Sequence, residues 1–313
     1  MTEASAAGKV ILLGEHAVVY GRPAIAVPVS DLSAIAEVTS LATGAGVRVV
    51  AEDLDETYYL DQVYDTDAAH ALQTTVRNTL QRLGVEIESQ ALRIVVRSQI
   101  PIARGMGSGT AVATALVRAL ARHYGRHLTS RAVSDLVYKT EVILHGTPSG
   151  IDNTVVAFEK PVYFQRGRRA DILWVGRPFT LLIADTGIQS STRDAVEDVR
   201  RAQQADPPRH EMLFDSIGAT VEEGRQAIAA GRLGELGRLM HRNQLLLRDL
   251  GVSGPELDQL TRAAESAGAK GAKLSGGGRG GCMIALVDDQ TRDRVIASLV
   301  LAGASRVITT TVR

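Results

Sequence analysis

Ile100-Pro101-Ile102-Ala103-Arg104-Gly105-Met106-Gly107-Ser108-Gly109-Thr110-Ala111 is the stretch that decides how this chain folds. A strand-like run, Leu92-Arg93-Ile94-Val95-Val96, leads into it, and a helix-like run from Ala113 to Leu120 leads out. Glycines at alternate positions, 105, 107 and 109, remove the Cβ atoms that would keep a bulky anion from the backbone. The N–H groups so exposed, and the positive end of the following helix, favour a phosphate group. Neither common phosphate fingerprint fits. The Walker pattern ends in Gly-Lys-Ser/Thr, a tripeptide absent from this chain. The dinucleotide pattern needs an acidic residue at a strand end about 20 residues on, where residues 123–129 read His-Tyr-Gly-Arg-His-Leu-Thr.

Size and composition bound the function. The 313 residues suffice for two domains and a sizeable core. Lys+Arg and Asp+Glu number 35 each, so no bulk charge draws the chain to nucleic acid or to an anionic membrane. No apolar run reaches the roughly 20 residues of a membrane helix, and the N-terminal Met-Thr-Glu-Ala-Ser lacks the build of a signal peptide. A single cysteine, Cys282, excludes an internal disulfide framework. These features predict a soluble, globular, cytoplasmic protein.

Along the chain, apolar runs at 10–13, 24–29 and 47–50 predict strands, and Leu72, Val76, Leu80 and Leu83 mark a helix that Gly84 stops. Ser130 is the expected N-cap of a helix running towards His145, and residues 154–158 and 162–165 suggest a strand pair. Past the basic turn at Arg166, Arg168 and Arg169 comes a strand at 181–184. Helical stretches follow at 193–205, 211–230 and 232–249, then a helix opened by Pro255. Strands at 282–287 and 306–310 close the chain. The change of texture places a domain boundary near 166–178, giving domains of 1–170 and 171–313.

Two further segments carry chemistry. In Gly8-Lys9-Val10-Ile11-Leu12-Leu13-Gly14-Glu15-His16-Ala17-Val18-Val19-Tyr20-Gly21, charged groups stand at both ends of an apolar strand. Burying them is costly unless each finds a partner, which suggests a polar cleft; the alternative is a lysine that snorkels to solvent beside a polar turn. In the helix after Ser130, Glu141 follows Val137 by one turn and borders the apolar face formed by Val133, Leu136, Val137, Thr140 and Leu144. A carboxylate there wants a cation, unless it lies in a solvated last turn. The turn Gly146-Thr147-Pro148-Ser149-Gly150 then presents Asp152 just before an expected strand. A third segment, Lys273-Leu274-Ser275-Gly276-Gly277-Gly278-Arg279-Gly280-Gly281-Cys282, holds five glycines in six positions and lets a backbone approach a ligand closely. Cys282 reads as a packing residue, and the histidines form no metal-ligand pattern.

Taken as strings, these segments resemble the motifs of the GHMP kinases, small-molecule kinases for galactose, homoserine, mevalonate and phosphomevalonate, and occur in family order from residue 8 to residue 282. Gly-Lys-Val-Ile-Leu-x-Gly-Glu-His-Ala-Val-Val-x-Gly is most similar to the mevalonate-kinase branch. Galactokinases carry Glu-His-Thr-Asp, and phosphomevalonate kinases tend to Glu-Tyr. The chain departs from the pattern at Ala7, where proline is usual, at Arg279, where glycine is usual, and at Gly109. The family loop reads Gly-Leu-Gly-Ser-Ser-Ala, and the serine assigned to metal and phosphate falls on Gly109, so Ser108, Thr110 or water must take its place.

The resemblance implies an α/β, two-domain fold, with a ribosomal-protein-S5-like N-terminal domain, a ferredoxin-like C-terminal domain and an active site in the cleft between them. It implies ATP and Mg²⁺ as cofactors and transfer of phosphate to the mevalonate 5-hydroxyl in isoprenoid precursor synthesis. ATP would lie on Pro101, Arg104, Gly105, Met106, Gly107, Ser108, Gly109 and Thr110, and Mg²⁺ on Glu141 and Ser108. Asp152 would be the base, with Lys9 beside it to neutralise developing charge, and Glu15, His16 and Thr186 would bind substrate. The resemblance makes a homodimer plausible and implies no nucleic-acid or membrane partner. The alternatives are another GHMP kinase acting on phosphomevalonate, homoserine or the mevalonate 3-hydroxyl, and a non-catalytic ligand sensor. A substrate panel separates the first, and any ATP turnover with a small alcohol removes the second.

Overall fold

A computed structural model describes residues 1–102, 104–146, 148–189 and 191–313, and of His145 the backbone alone. Ala103 and Thr147, which stand inside two of the motifs, lie outside the described residues, as does Ser190. The chain opens with β1 (Thr2–Leu13), β2 (Ala24–Ser40), β3 (Val47–Ala51), β4 (Glu56–Tyr59), α1 (Asp67–Leu83) and β5 (Leu92–Ser98). Next come α2 (Ser108–His123), α3 (Ser130–His145), α4 (Ile151–Phe158), β6 (Val162–Phe164), β7 (Asp171–Ile172) and β8 (Phe179–Asp185). The remainder is α5 (Thr192–Ala205), α6 (Pro207–Ala229), α7 (Leu233–Asp249), α8 (Pro255–Ser266), β9 (Gly271–Ser275), β10 (Cys282–Val287), α9 (Arg292–Leu301) and β11 (Arg306–Val312).

Two compact units emerge. The first comprises Met1–Gly8, Leu32–Pro101 and Gly107–Glu159, and the second Lys9–Asp31, Ile102–Met106 and Lys160–Arg313. Two segments of the first 170 residues, 9–31 and 102–106, therefore pack with the second unit. In the first unit the strand order is β4-β3-β5-β2, with β3 and β5 parallel. Its helices meet in an apolar cluster of Ala113 and Val117 from α2, Val133, Leu136 and Val137 from α3, and Ala157 from α4.

Local chemistry explains these helix limits. Thr66 caps α1 by accepting from Ala69 N at 3.3 Å, and Gly84 closes it at φ +71. The cap of α3 is Thr129, which accepts from Ala132 N at 3.2 Å, so Ser130 is already inside the helix. Residues 151–158 correct a larger expectation: they form α4, not a strand. The β-branched string Thr154-Val155-Val156 favours extended backbone, but burial of Ile151, Val155 and Val156 at helical spacing overrides it. Asp152 consequently sits in the first turn of a helix.

The second unit carries an antiparallel sheet of order β11-β8-β10-β9. Numbered within the unit this is 4-1-3-2, and with helices after the first and third strands it is the ferredoxin-like arrangement. Residues 24–26 of β2 also pair with β6 in this unit. β9 was not expected from sequence. Its close fit to α7 explains one glycine pair: a Cβ on Gly271 would lie 2.0 Å from Gly237 O, so only glycine lets the two backbones meet. No helix among the described residues is long and apolar enough to cross a membrane.

Candidate active site

In the first unit, the candidate residues lie at the start of α2 and the end of α3. Gly107 caps α2 at φ +72, leaving the N–H groups of the first turn without intrahelical acceptors. Thr110 is buried in that turn and donates its hydroxyl to Glu141 Oε1 at 2.7 Å. Glu141 is 1 % exposed, so it is not a solvated surface residue. Next to it, Thr140 is fixed to α1: Thr75 donates to Ala71 O at 2.7 Å and shares a 2.6 Å bond with the Thr140 hydroxyl. Ser108 points elsewhere, its Oγ 3.3 Å from Ser98 Oγ. The hydroxyl that reaches the glutamate belongs to Thr110.

Asp152 is half-buried. Its neighbour Asn153 donates from Nδ2 to Ser134 Oγ at 2.9 Å and to Ser134 O at 3.1 Å, tying the first turn of α4 to α3. Ser134, the partner of Asn153, carries no local sequence signal.

Gly109 lies exposed in α2 with φ outside the left-handed region. A Cβ there would meet only the end of the Leu144 side chain, at 3.0 Å. Gly109→Ser should therefore be accommodated, with kcat/KM within about threefold and stability raised by a few tenths of a kcal/mol through better helix propensity. Steady-state kinetics and a melting curve check this. A loss beyond tenfold would show that a bound anion approaches this position too closely for any side chain.

The second unit holds Lys9, the turn at 14–16 and two loops. Lys9 lies inside β1, not before it, and is 3 % exposed, so it does not snorkel to solvent. Its N–H donates to Met106 O at 3.0 Å, and Met106 is buried. The 102–106 segment meets the third motif backbone to backbone: a Cβ on Gly105 would lie 3.1 Å from Ser275 O, and one on Gly276 3.3 Å from Gly105 Cα. Arg104 Nε pairs with Asp185 Oδ2 at 3.2 Å. Thr186 donates its hydroxyl to Gly281 O at 2.8 Å and so helps close the glycine loop. Arg279 takes a left-handed backbone, at φ +58. Its guanidinium reaches Asp198 and Gly251 O, contacts that offset about 1–2 kcal/mol of left-handed strain.

Glu15 is fully buried, and its carboxylate is taken by Lys273 Nζ and by Asn243 Nδ2 at 3.2 Å. Burial pushes Glu15 up and Lys273 down, and each opposes the shift of the other. His16 has φ +61 and its Nε2 lies 3.0 Å from Gly277 O. Burial lowers its pKa from 6.5 to about 4, so the imidazole is neutral and donates to that carbonyl. Burial also raises the Cys282 thiol to about 12, consistent with a packing role.

The His16 shift has a stability consequence. Between about pH 6.5 and pH 4 the unfolded chain takes a proton at His16 that the folded chain refuses. Unfolding free energy thus falls as pH falls through that window, by about 3 kcal/mol from this group. Urea unfolding of the wild type and of His16→Asn near pH 7 and near pH 4 should show the smaller pH dependence in the variant. Equal slopes would mean that His16 is protonated in the folded protein.

Family models described as "GHMP kinases N terminal domain" and "GHMP kinases C terminal" match residues 70–160 and 225–304. The chain is 36 % identical to a mevalonate kinase of Thermococcus sibiricus over 98 % of its own length and 95 % of the relative's. The crystal structure of L. major mevalonate kinase in complex with R-mevalonate matches with a TM-score of 0.83 and 28 % identity, over 100 % of this chain and 96 % of that one. The Methanococcus jannaschii mevalonate kinase, at 23 % identity, shares the fold with a TM-score of 0.84 over 99 % and 98 % of the two chains. The chain belongs to the GHMP kinase family and has that family's two-domain mixed α/β fold.

Proposed function

We propose that this chain transfers the γ-phosphoryl group of ATP to the 5-hydroxyl of mevalonate, giving 5-phosphomevalonate and ADP. The observation that carries the substrate is the 36 % identity to a mevalonate kinase over 98 % of this chain. Retention of Lys9, Glu141 and Asp152, each buried or half-buried where a surface residue would be exposed, supports catalysis over a ligand sensor. In this reading residues 1–170 form the ATP-binding domain and 171–313 the C-terminal domain.

Phosphoryl transfer asks a protein mainly for positioning and electrostatic stabilisation. Pro101 and the loop from Arg104 to Thr110 would cradle the ATP phosphates with backbone N–H groups at the start of α2. Glu141 and the Thr110 hydroxyl form an all-oxygen donor set, which suits a hard divalent cation such as Mg²⁺. No group of three or more His, Cys, Asp or Glu side chains placed to hold a metal ion occurs among the described residues, so phosphate or water oxygens would complete the shell. Bound there, the cation supplies neutralising charge to phosphate oxygens. Asp152 accepts the proton of the attacking hydroxyl, and the Lys9 ammonium balances the charge that develops. Ser108 remains a donor to phosphate, and His16 and Thr186 contact the acceptor substrate. The engagement of Glu15 with Lys273 and Asn243 leaves it acting through its neighbour.

We read the enzyme as cytoplasmic and homodimeric, which fractionation and light scattering would check. Coupled ADP release with mevalonate, phosphomevalonate, homoserine and galactose tests the substrate. Mevalonate should lead the panel by at least 10²-fold in kcat/KM, the scale on which a site built for specific hydroxyls discriminates. Phosphorus NMR of the product distinguishes the 5-phosphate from the 3-phosphate.

A further inference from the structure

The third motif opens with a lysine to which no role is attached. Lys273 lies in the middle of β9 with both chain neighbours, Ala272 and Leu274, fully buried, and it is itself 0 % exposed. A solitary ammonium there would be intolerable, and it is held by Glu15, 258 residues earlier, with a further bond to Leu274 O. The network continues through α7. Asn243 Nδ2 donates to the second oxygen of Glu15, while Asn243 Oδ1 accepts from Gly14 N at 3.4 Å. Gln244 Oε1 accepts from Leu274 N at 2.8 Å. Ser275 clasps β1, accepting from Ile11 N at 2.9 Å and donating to Ile11 O at 3.1 Å.

The turn so gripped is under strain. His16 is one of the few non-glycine residues described with positive φ, a conformation that persists only where surrounding contacts impose it. On one side of the turn stands the Glu15 carboxylate in the grip of Lys273 and Asn243. On the other stands the His16 ring on Gly277 O, in the glycine loop that follows the same strand.

We infer that Lys273 is a positioning residue for the reaction: with Glu15 as its counter-ion and Asn243 as the second hand, it fixes the 14–16 turn so that His16 is locked to the 276–281 loop. A buried ion pair contributes little net stability compared with apolar residues of the same volume, and its better-attested use is specifying one arrangement. This pair specifies the backbone of the turn. The inference deepens the proposed function and rests on it in one respect, that His16 contacts the acceptor substrate.

The test compares the wild type with Lys273→Met and with Lys273→Met/Glu15→Met. The single variant leaves a buried carboxylate uncompensated and should lose roughly 5–10 °C in Tm. The double variant removes both charges and should regain most of that loss. Two readouts are then taken on the double variant. The first is the titration of the His16 imidazole by NMR, in which Lys273 and Arg279 are the charged groups acting on His16. It should move from about 4 most of the way to the ordinary 6.5 as the turn is released, because burial is the largest cause of the depression; loss of the Lys273 charge alone, the smallest cause, would move it only slightly. The second is kinetics: KM for mevalonate should rise about tenfold or more, with KM for ATP within about threefold of wild type. A His16 titration that stays near 4 in a folded double variant overturns the inference, because the turn is then held without the pair. A shifted titration with unchanged KM for mevalonate upholds the positioning and overturns the substrate role of His16. A wild type inactive on mevalonate refutes the proposed substrate, and the NMR arm still decides the positioning.

Discussion

Asp152→Asn should lower kcat by about 10²–10⁴-fold while the protein stays folded and still binds nucleotide. The substitution keeps size and most hydrogen bonding and removes the charge that, in the proposed function, would accept the substrate proton. Folding should survive because other residues anchor α4. Gly150 starts the helix, Thr154 Oγ1 bonds back to Gly150 O at 2.6 Å, and Asn153 ties the first turn to Ser134. The buried faces of Ile151, Val155 and Val156 supply the packing. Measured on one preparation, kcat, nucleotide affinity and Tm separate the outcomes. A collapse of Tm would make Asp152 a structural residue. Near-normal kcat would remove it as the base and leave Lys9 to act by electrostatics alone.

Much of this architecture was legible in the sequence, and the failures share a cause. Gly84 as a helix stop, the apolar strands at 10–13 and 282–287, and the glycine loop before α2 are local signals, each carried by a few adjacent residues. α4 was not legible, because Thr154-Val155-Val156 has strand propensity and only packing against α2 and α3 makes it a helix. β9 was hidden by Lys273: a lysine in the middle of a short run argues against a buried strand until its partner is known. That partner, Glu15, stands at the far end of the chain, and no periodicity links the two. The same holds for Asn243 and Gln244, polar residues in a helix whose composition marks them as surface. The exchange of 9–31 and 102–106 into the second unit likewise depends on contacts remote in sequence.

The hydroxyl that reaches Glu141 shows how helical phase decides between neighbours. Ser108 and Thr110 both follow the glycine loop and both carry hydroxyls, and composition cannot choose between them. Two residues along a helix rotate a side chain by about 200°, so they face nearly opposite directions. With α2 beginning at Ser108, that rotation carries Thr110 inward to Glu141 and leaves Ser108 beside Ser98. The chain thus has a hydroxyl at the glutamate although position 109 is glycine.

Glu141→Gln tests that arrangement. The amide keeps a carbonyl oxygen for the Thr110 hydroxyl, so the contact between α2 and α3 can persist and the fold should be retained. What disappears is the negative charge, on which the proposed cation site rests. Charge neutralisation at transferring phosphate is worth several kcal/mol, so turnover at low Mg²⁺ should fall by roughly 10²–10³-fold. Raising Mg²⁺ should recover part of the loss, because a weakened site is filled at higher concentration. Acceptor KM, measured at saturating Mg²⁺, should change far less. A second readout is independent of turnover: Mn²⁺ binding in the presence of a non-hydrolysable ATP analogue, followed by electron paramagnetic resonance, should weaken in parallel. Thr110→Val should weaken Mn²⁺ binding to a smaller degree, since it removes the hydroxyl and leaves the carboxylate. If Glu141→Gln binds Mn²⁺ as the wild type does and turns over normally at low Mg²⁺, the buried Thr110–Glu141 pair is a helix–helix contact and the cation is held elsewhere.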